Sequence, residues 1–101
     1  MERLLICGGT VVDGTGKPGF RADVRVAQGK IVEVGPALKA APGERAFDAA
    51  GCLVTPGFIE SHTHYDGTMW WQPDLDPLPG YGVTTAIRGN CGFSAAPISD
   101  D

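Results

Sequence analysis

The sequence predicts an α/β protein that begins with a small antiparallel β-sheet and continues into the first strands of a parallel, barrel-type sheet. Three observations lead to this fold class. Residues 1–55 consist of short apolar runs separated by glycine and proline, without helical periodicity. Two later apolar runs, starting at Phe58 and Val83, are separated by a connection long enough for a parallel crossover. Each of these two runs is followed by side chains that bind metals, as at the carboxyl ends of strands in a (β/α)₈ barrel.

The first half of the chain is predicted to form short strands and turns. Val24 and its alternating apolar neighbours occupy one face of a half-buried strand, with Arg21, Asp23 and Arg25 on the other face. Gln28-Gly29 predicts a two-residue turn into a returning strand, so the sheet is expected to be antiparallel. Gly8-Gly9 is expected to separate the first two strands. The predicted strands cover residues 4–7, 10–12, 21–27, 31–34, 45–48 and 52–55.

The second half has a different character. Pro56-Gly57 precedes a strand that starts at Phe58 and carries two histidines at its carboxyl end. The following segment is rich in proline, and one helical turn is expected near residues 74–78. Residues 82–88 are rich in β-branched side chains and predict a strand that ends in the turn Gly89-Asn90-Cys91-Gly92.

The charge distribution and the cysteine content argue against a nucleic-acid-binding protein and against a disulfide-bonded one. Residues 1–50 hold seven Lys/Arg and six Asp/Glu, whereas residues 51–101 hold one Lys/Arg and six Asp/Glu. This acidic second half argues against a nucleic-acid surface and suits a cation site. Three widely spaced cysteines predict neither a disulfide framework nor a zinc knuckle. The apolar run after Met1 is too short for a signal peptide or a membrane span, so a cytoplasmic protein without membrane or nucleic-acid partners is expected.

The candidate metal ligands are His62, His64 and Cys91. On a strand, residues separated by one position face the same side, so both imidazoles are expected to point into one site. Zinc binds neutral imidazole nitrogen and thiolate sulfur, and a third ligand at Cys91 would complete a catalytic set. The carboxylates of Glu60 and Asp66 are weaker candidates. Cys7 and Cys52, which lie in or beside apolar strands, are expected to be small buried apolar residues.

These motifs resemble those of a known family. Pro56-Gly57-Phe58-Ile59, followed by His62 and His64, resembles the first barrel strand of the amidohydrolase superfamily. Residues 4–35 resemble the β-sandwich segment that precedes this strand in the superfamily. Four further stretches are similar to the D-aminoacylase, or N-acyl-D-amino-acid deacylase, group: residues 64–67, Trp71-x-Pro73, residues 82–85 and the Gly-Asn-Cys-Gly turn with Ala96-Pro97.

The resemblance implies a composite β-sandwich segment at residues 1–55 and the start of a (β/α)₈ TIM-type barrel at residues 56–101. It implies that His62, His64 and Cys91 bind one or two zinc ions and that the substrate is a small N-acyl amino acid. The catalytic aspartate and further histidines of the family come from later strands, and no catalytic residue is assigned within this chain. The chain is therefore expected to be an inactive amino-terminal fragment of a hydrolase. The alternatives are a small non-catalytic zinc-binding or interaction module, and a cyclic amidase or deaminase of the same superfamily.

Overall fold

The computed structural model describes residues 3–90 of the chain, and its contacts separate two units, Met1–Pro56 and Gly57–Asp101. The first unit is a five-stranded sheet, and the second contains a two-stranded parallel sheet with helical turns. Among residues 3–90 no helix has the length and apolar character needed to cross a bilayer. Residues 3–55 contain no helix, as the sequence predicts.

The sheet of the first unit is mixed. The strands are β1 Arg3–Val11, β2 Phe20–Ala27, β3 Lys30–Gly35, β4 Arg45–Asp48 and β5 Leu53–Val54. Their order in the sheet is β3-β2-β1-β4, and β5 also pairs with β1. β2 is antiparallel to both β1 and β3, whereas β4 and β5 run parallel to β1. The prediction of an antiparallel sheet is therefore wrong for β4 and β5, because the connection after β3 brings the chain back along β1 in the same direction.

β1 is one continuous strand and not the two strands predicted around Gly8-Gly9. Ile6 pairs with Val24 and Gly9 pairs with Ala22, so β1 has one extra residue between these pairs. Gly8 takes a φ of +74° at this bulge, a conformation that costs glycine little. The two glycines therefore bend the strand without ending it.

Asp23 of β2 lies opposite the apolar face as predicted, but its side chain is buried. Its Oδ1 accepts a hydrogen bond from the backbone N–H of Gly8 at 2.7 Å, and its Oδ2 accepts one from Leu38 N–H at 2.8 Å. A buried carboxylate is tolerated when backbone donors satisfy it. Asp23 thus joins the bulge in β1 to the connection after β3. The small apolar core on the other face contains Val11, Ala22 and Val24.

A second polar cluster surrounds Arg25. Its guanidinium forms ion pairs with Glu33 and with Glu44, the latter at 2.8 Å, and the Glu44 side chain is almost fully buried. Glu44 also accepts a hydrogen bond from Ala41 N–H. That backbone bond, together with the bond from Arg25, lowers the pKa of Glu44 below its ordinary value. The hydrogen bond to Glu44 raises the pKa of Arg25 in turn.

The second unit contains β6 Phe58–Glu60 and β7 Val83–Ala86, which pair in parallel. This confirms the predicted parallel neighbours. The helical turn predicted at residues 74–78 is wrong: helical turns occur on either side, in α1 (Tyr65–Thr68) and a 3₁₀ turn (Pro79–Tyr81). Leu75 has a φ of +51°, which is incompatible with a right-handed helix, and prolines flank it at positions 73 and 77.

The first residue of this unit, Gly57, lies against β7. A side-chain Cβ placed on Gly57 would lie 2.6 Å from Thr84 Cβ, and it would also overlap the Thr84 Oγ1 and Cγ2 atoms. The close approach of the two strands at this point therefore requires a residue without a side chain.

Candidate metal centre

The two candidate histidines follow the carboxyl end of β6. The strand ends at Glu60, so His62 lies two residues beyond it and His64 is the residue that precedes α1. The prediction that both histidines lie on the strand itself and face one side of it is wrong in its first part, because the strand ends at Glu60 and the backbone has left the extended conformation by His64, where φ is −102° and ψ is 19°. The two rings still lie close together, with centroids 6.2 Å apart and planes inclined by 58°. Both residues are exposed.

This spacing fits two ligands of one zinc ion after a small side-chain adjustment. With zinc–nitrogen bonds of about 2.0–2.1 Å and tetrahedral angles, the centroids of two ligating imidazoles lie about 5 Å apart. The observed separation is larger by about 1 Å, which rotation about the side-chain bonds of exposed residues can close. The histidine pair is therefore suited in donor type and in spacing to hold a zinc ion.

The carboxylate of Glu60, the last residue of β6, bonds to the backbone of the histidine segment. Its Oε1 accepts a hydrogen bond from the backbone N–H of His62 at 2.9 Å. The backbone carbonyl of Glu60 accepts a bond from Ile87 N–H at 2.8 Å, just after β7. Glu60 therefore fixes the point at which the chain leaves β6 and aligns it with the end of β7.

The turn after β7 is attached to the segment that follows β6 by two hydrogen bonds. Gly89 N–H donates to Asp66 Oδ2 at 2.8 Å, and the Asp66 side chain is buried. The Asn90 side-chain amide donates through Nδ2 to the backbone carbonyl of Ser61 at 2.7 Å. Because Ser61 contributes a carbonyl acceptor, the amide must present its NH₂ group there. The turn after β7 is thus bonded to the segment that carries the histidine pair, at a residue before the pair and at a residue after it.

The third candidate ligand, Cys91, lies outside the described residues. Within residues 3–90 no group of three or more His, Cys, Asp or Glu side chains is close enough to hold a metal ion. The part of the chain that the structure describes therefore supplies two imidazoles, and a third ligand has to come from elsewhere.

The other two cysteines lie in the first unit. Cys7 is half-buried in β1, and burial, with Asp23, Asp48 and Glu44 nearby, raises the pKa of its thiol above the ordinary value. Cys52 is exposed, so the expectation that it is a buried apolar residue is wrong. It precedes the two-residue strand β5, which is too short and too close to the edge of the sheet to cover it.

Sequence reasoning missed the bonds made by Asp66 and Asn90. The sequence predicts Asp66 as a weaker candidate for metal binding and Asn90 as a turn residue. Asn90 is the sole asparagine of the chain, and it directly precedes the candidate ligand Cys91. A side chain that both donates and accepts, next to a candidate ligand at a strand end, is the signal that could have indicated a supporting contact.

The chain is similar in sequence to known proteins along most of its length. A model described as the amidohydrolase family matches residues 45–98. The chain is 45% identical over 96 residues to the D-aminoacylase of Alcaligenes xylosoxydans xylosoxydans, an alignment that covers 95% of this chain and 20% of that protein. It is 44% identical over 103 residues to the dihydroorotase of Citrifermentans bemidjiense, covering 96% of this chain and 23% of the relative.

A solved structure shows the same similarity in three dimensions. The N-acyl-D-glutamate deacylase of Bordetella bronchiseptica, complexed with zinc and a phosphonate that mimics the tetrahedral intermediate, matches with a TM-score of 0.82 at 47% identity. The match covers 93% of this chain and 20% of that one. The chain thus spans about a fifth of the length of these deacylases.

Proposed function

Because the chain belongs to the amidohydrolase family, we propose that it forms the amino-terminal part of a zinc-dependent hydrolase that cleaves the amide bond of N-acyl-D-amino acids. The observation that carries the proposal is the meeting of two parallel strand ends around His62 and His64. In (β/α)₈ enzymes the active site is built at this end of the strands. The similarity to a D-aminoacylase and to a zinc-containing deacylase supports the choice of substrate class and metal.

In this proposal, residues 1–55 are the first part of a β-sandwich that sequence from outside this chain completes. Residues 56–101 contribute the first two strands, β6 and β7, of a TIM-type barrel. The many exposed apolar side chains of the sheet support an incomplete first unit, since Ile31, Leu53 and Phe47 are each more than half exposed.

His62 and His64, together with Cys91, would hold one or two zinc ions. A bound zinc ion supplies a Lewis acid that polarises a carbonyl and lowers the pKa of water. The residues of this chain contribute the ligands and their orientation: Glu60 fixes the backbone of His62, and the strand pairing brings both strand ends to one place. No general base is assigned within this chain, and an aspartate from a later strand would take that role.

The test compares three cysteine variants of the complete protein that carries this chain. Cys91→Ala should lower bound zinc by at least half. It should reduce turnover of an N-acetyl-D-amino acid by more than the about 10- to 100-fold that replacing an outer partner of a metal ligand costs. Cys7→Ala and Cys52→Ala are the matched controls, and both should keep zinc content and turnover. Full zinc content and full turnover in Cys91→Ala would refute the proposed ligand set.

The substrate arm uses matched N-acetyl-D- and N-acetyl-L-amino acids and a cyclic amide, assayed with the zinc-loaded protein. The similarity to a dihydroorotase makes the cyclic amide a specific second candidate. Preference for the D-series supports the proposal, and preference for the cyclic amide or the L-series refutes the substrate class. Zinc binding without turnover of any of the three would favour a non-catalytic zinc module.

A further inference from the structure

The turn that precedes Cys91 is attached at two points to the segment that carries the histidine pair. Gly89 N–H donates to the buried Asp66, and Asn90 Nδ2 donates to Ser61 C=O, at 2.8 and 2.7 Å. Asp66 lies two residues after His64, and Ser61 is the residue before His62. The two bonds therefore bracket the histidine pair in sequence.

Each bond joins positions that are far apart along the chain. Asp66 and Gly89 are separated by 23 residues, and Ser61 and Asn90 by 29. Backbone pairing of β6 with β7 ends with the Ile87–Glu60 bond. Beyond that point, the side chains of Asp66 and Asn90 hold the Gly89-Asn90 turn to the histidine segment. Cys91 is the next residue in the sequence after Asn90.

We propose that Asp66 and Asn90 are positioning residues that hold the Gly89-Asn90 turn against the histidine segment, so that Cys91 is presented to the metal bound by His62 and His64. This inference rests on the proposed function, because it assumes that Cys91 is a metal ligand. Replacing a residue that orients a metal ligand without contacting the metal lowers metal affinity by about 10- to 100-fold. Asp66 acts through its acceptor oxygen and Asn90 through its donor NH₂ group, and neither role depends on net charge.

Two substitutions separate a hydrogen-bonding role from a charge effect, because the two explanations predict different changes in zinc affinity. Asp66→Asn removes a negative charge but keeps an acceptor oxygen for Gly89 N–H. Asn90→Asp adds a negative charge but replaces the donor by an acceptor, which faces the Ser61 carbonyl. If these residues acted only through charge near a cation, Asp66→Asn would weaken zinc binding and Asn90→Asp would strengthen it. A positioning role predicts instead that Asp66→Asn leaves zinc affinity unchanged and that Asn90→Asp weakens it.

The experiment measures zinc affinity of the complete protein by competition with a chromogenic chelator. Asp66→Ala and Asn90→Asp should raise the zinc dissociation constant about 10- to 100-fold, while Asp66→Asn should stay close to the wild type. Asp74→Asn, an exposed carboxylate of the same unit, is the matched charge control and should leave affinity unchanged. In the Co²⁺-loaded protein, the thiolate-to-cobalt charge-transfer band should weaken in Asp66→Ala and Asn90→Asp and persist in Asp66→Asn.

Amide hydrogen exchange in the metal-free protein provides a readout that does not involve zinc. The Gly89 amide should exchange faster in Asp66→Ala than in the wild type, with Asp66→Asn retaining protection. Unchanged zinc affinity in a variant whose Gly89 amide has lost protection would overturn the positioning role. The cobalt band separates the two proposals. A wild-type protein that binds the metal without this band, or a band that persists in Cys91→Ala, refutes the ligand assignment, whatever the exchange data show.

Discussion

The close approach of Gly57 to Thr84 predicts that Gly57→Ala separates β6 from β7. The new Cβ would lie 2.6 Å from Thr84 Cβ, whereas carbon atoms in ordinary contact are about 3.5–4.0 Å apart. The strands must therefore move apart by about 1 Å at this point. Overpacking of this kind costs about 1–3 kcal/mol. We expect the upper part of that range, because the obstructing atom is attached directly to the backbone of β7.

The measurement is amide hydrogen exchange at Phe58 and Ile87. Their N–H groups bond to Gly82 C=O and Glu60 C=O at 2.9 and 2.8 Å, and these bonds bridge the two strands. A loss of about 1–3 kcal/mol corresponds to exchange that is about 5- to 150-fold faster. Zinc affinity should fall in parallel, since the strand pairing sets the spacing of the site.

A second substitution tests whether overlap with Thr84 causes the effect of Gly57→Ala. Thr84→Gly removes all three obstructing atoms, at a cost of about 0.5–1 kcal/mol for a glycine within a strand. The double variant Gly57→Ala/Thr84→Gly should recover most of the protection lost in Gly57→Ala, with an interaction energy of about 1–3 kcal/mol. Strictly additive effects in the double variant, or wild-type exchange in Gly57→Ala, would contradict the steric explanation.

Two further predictions concern the first unit. Because the pKa of Glu44 is lowered, its bonds to Ala41 N–H and Arg25 stabilise the fold above the unfolded-state pKa and cease to do so as the pH falls through the folded-state pKa. The melting temperatures of wild type and Glu44→Gln should therefore differ most near neutral pH and converge in acid. A difference in melting temperature that does not vary with pH would contradict this prediction. The raised pKa of the half-buried Cys7 keeps it in the unreactive thiol form, so iodoacetamide at neutral pH should label the exposed Cys52 before Cys7. Mass spectrometry of the peptides measures both labelling rates, and equal rates would refute this prediction.

Local sequence signals predicted much of the secondary structure. The alternation around Val24 and the Gln28-Gly29 turn predicted β2 and β3 to within a residue or two. The turn residues Gln28 and Gly29 both have positive φ, which is the conformation that this short hairpin needs. Residues 45–48 were predicted as a strand with the bounds that the structure shows.

Features that depend on contacts distant in sequence were not predictable in the same way. Gly8-Gly9 signals a break as readily as a bulge, and only the partner strand decides between them. The polar side chain of Asp23 favoured an exposed position, but two backbone donors satisfy it in the interior. The direction of β4 and β5 relative to β1 depends on the path of the preceding connection, which carries no periodic signal.

The candidate site was predictable in its residue types but only partly in its geometry. His62 and His64 were identified from their spacing, and the structure brings their rings to 6.2 Å. The end of β6 at Glu60 was not predicted, because the alternating pattern of the sequence does not indicate the hydrogen bond that the Glu60 side chain accepts from His62 N–H just beyond the strand. The expectation for Cys91 stays a prediction, since that residue lies outside the described part of the chain.

The parallel pairing of β6 with β7 has a consequence for the order in which the chain folds. β2 and β3 are joined by a two-residue turn, whereas β6 and β7 pair only after about 22 intervening residues have been closed into a loop. The entropy of closing that loop exceeds that of the short hairpin by about 2 kcal/mol. Contacts of high sequence separation form slowly, so the hairpin of the first unit should assemble early and the β6–β7 pair late. The histidine segment and the Gly89-Asn90 turn would then be brought together in one of the last steps, after the surrounding backbone has already been organised.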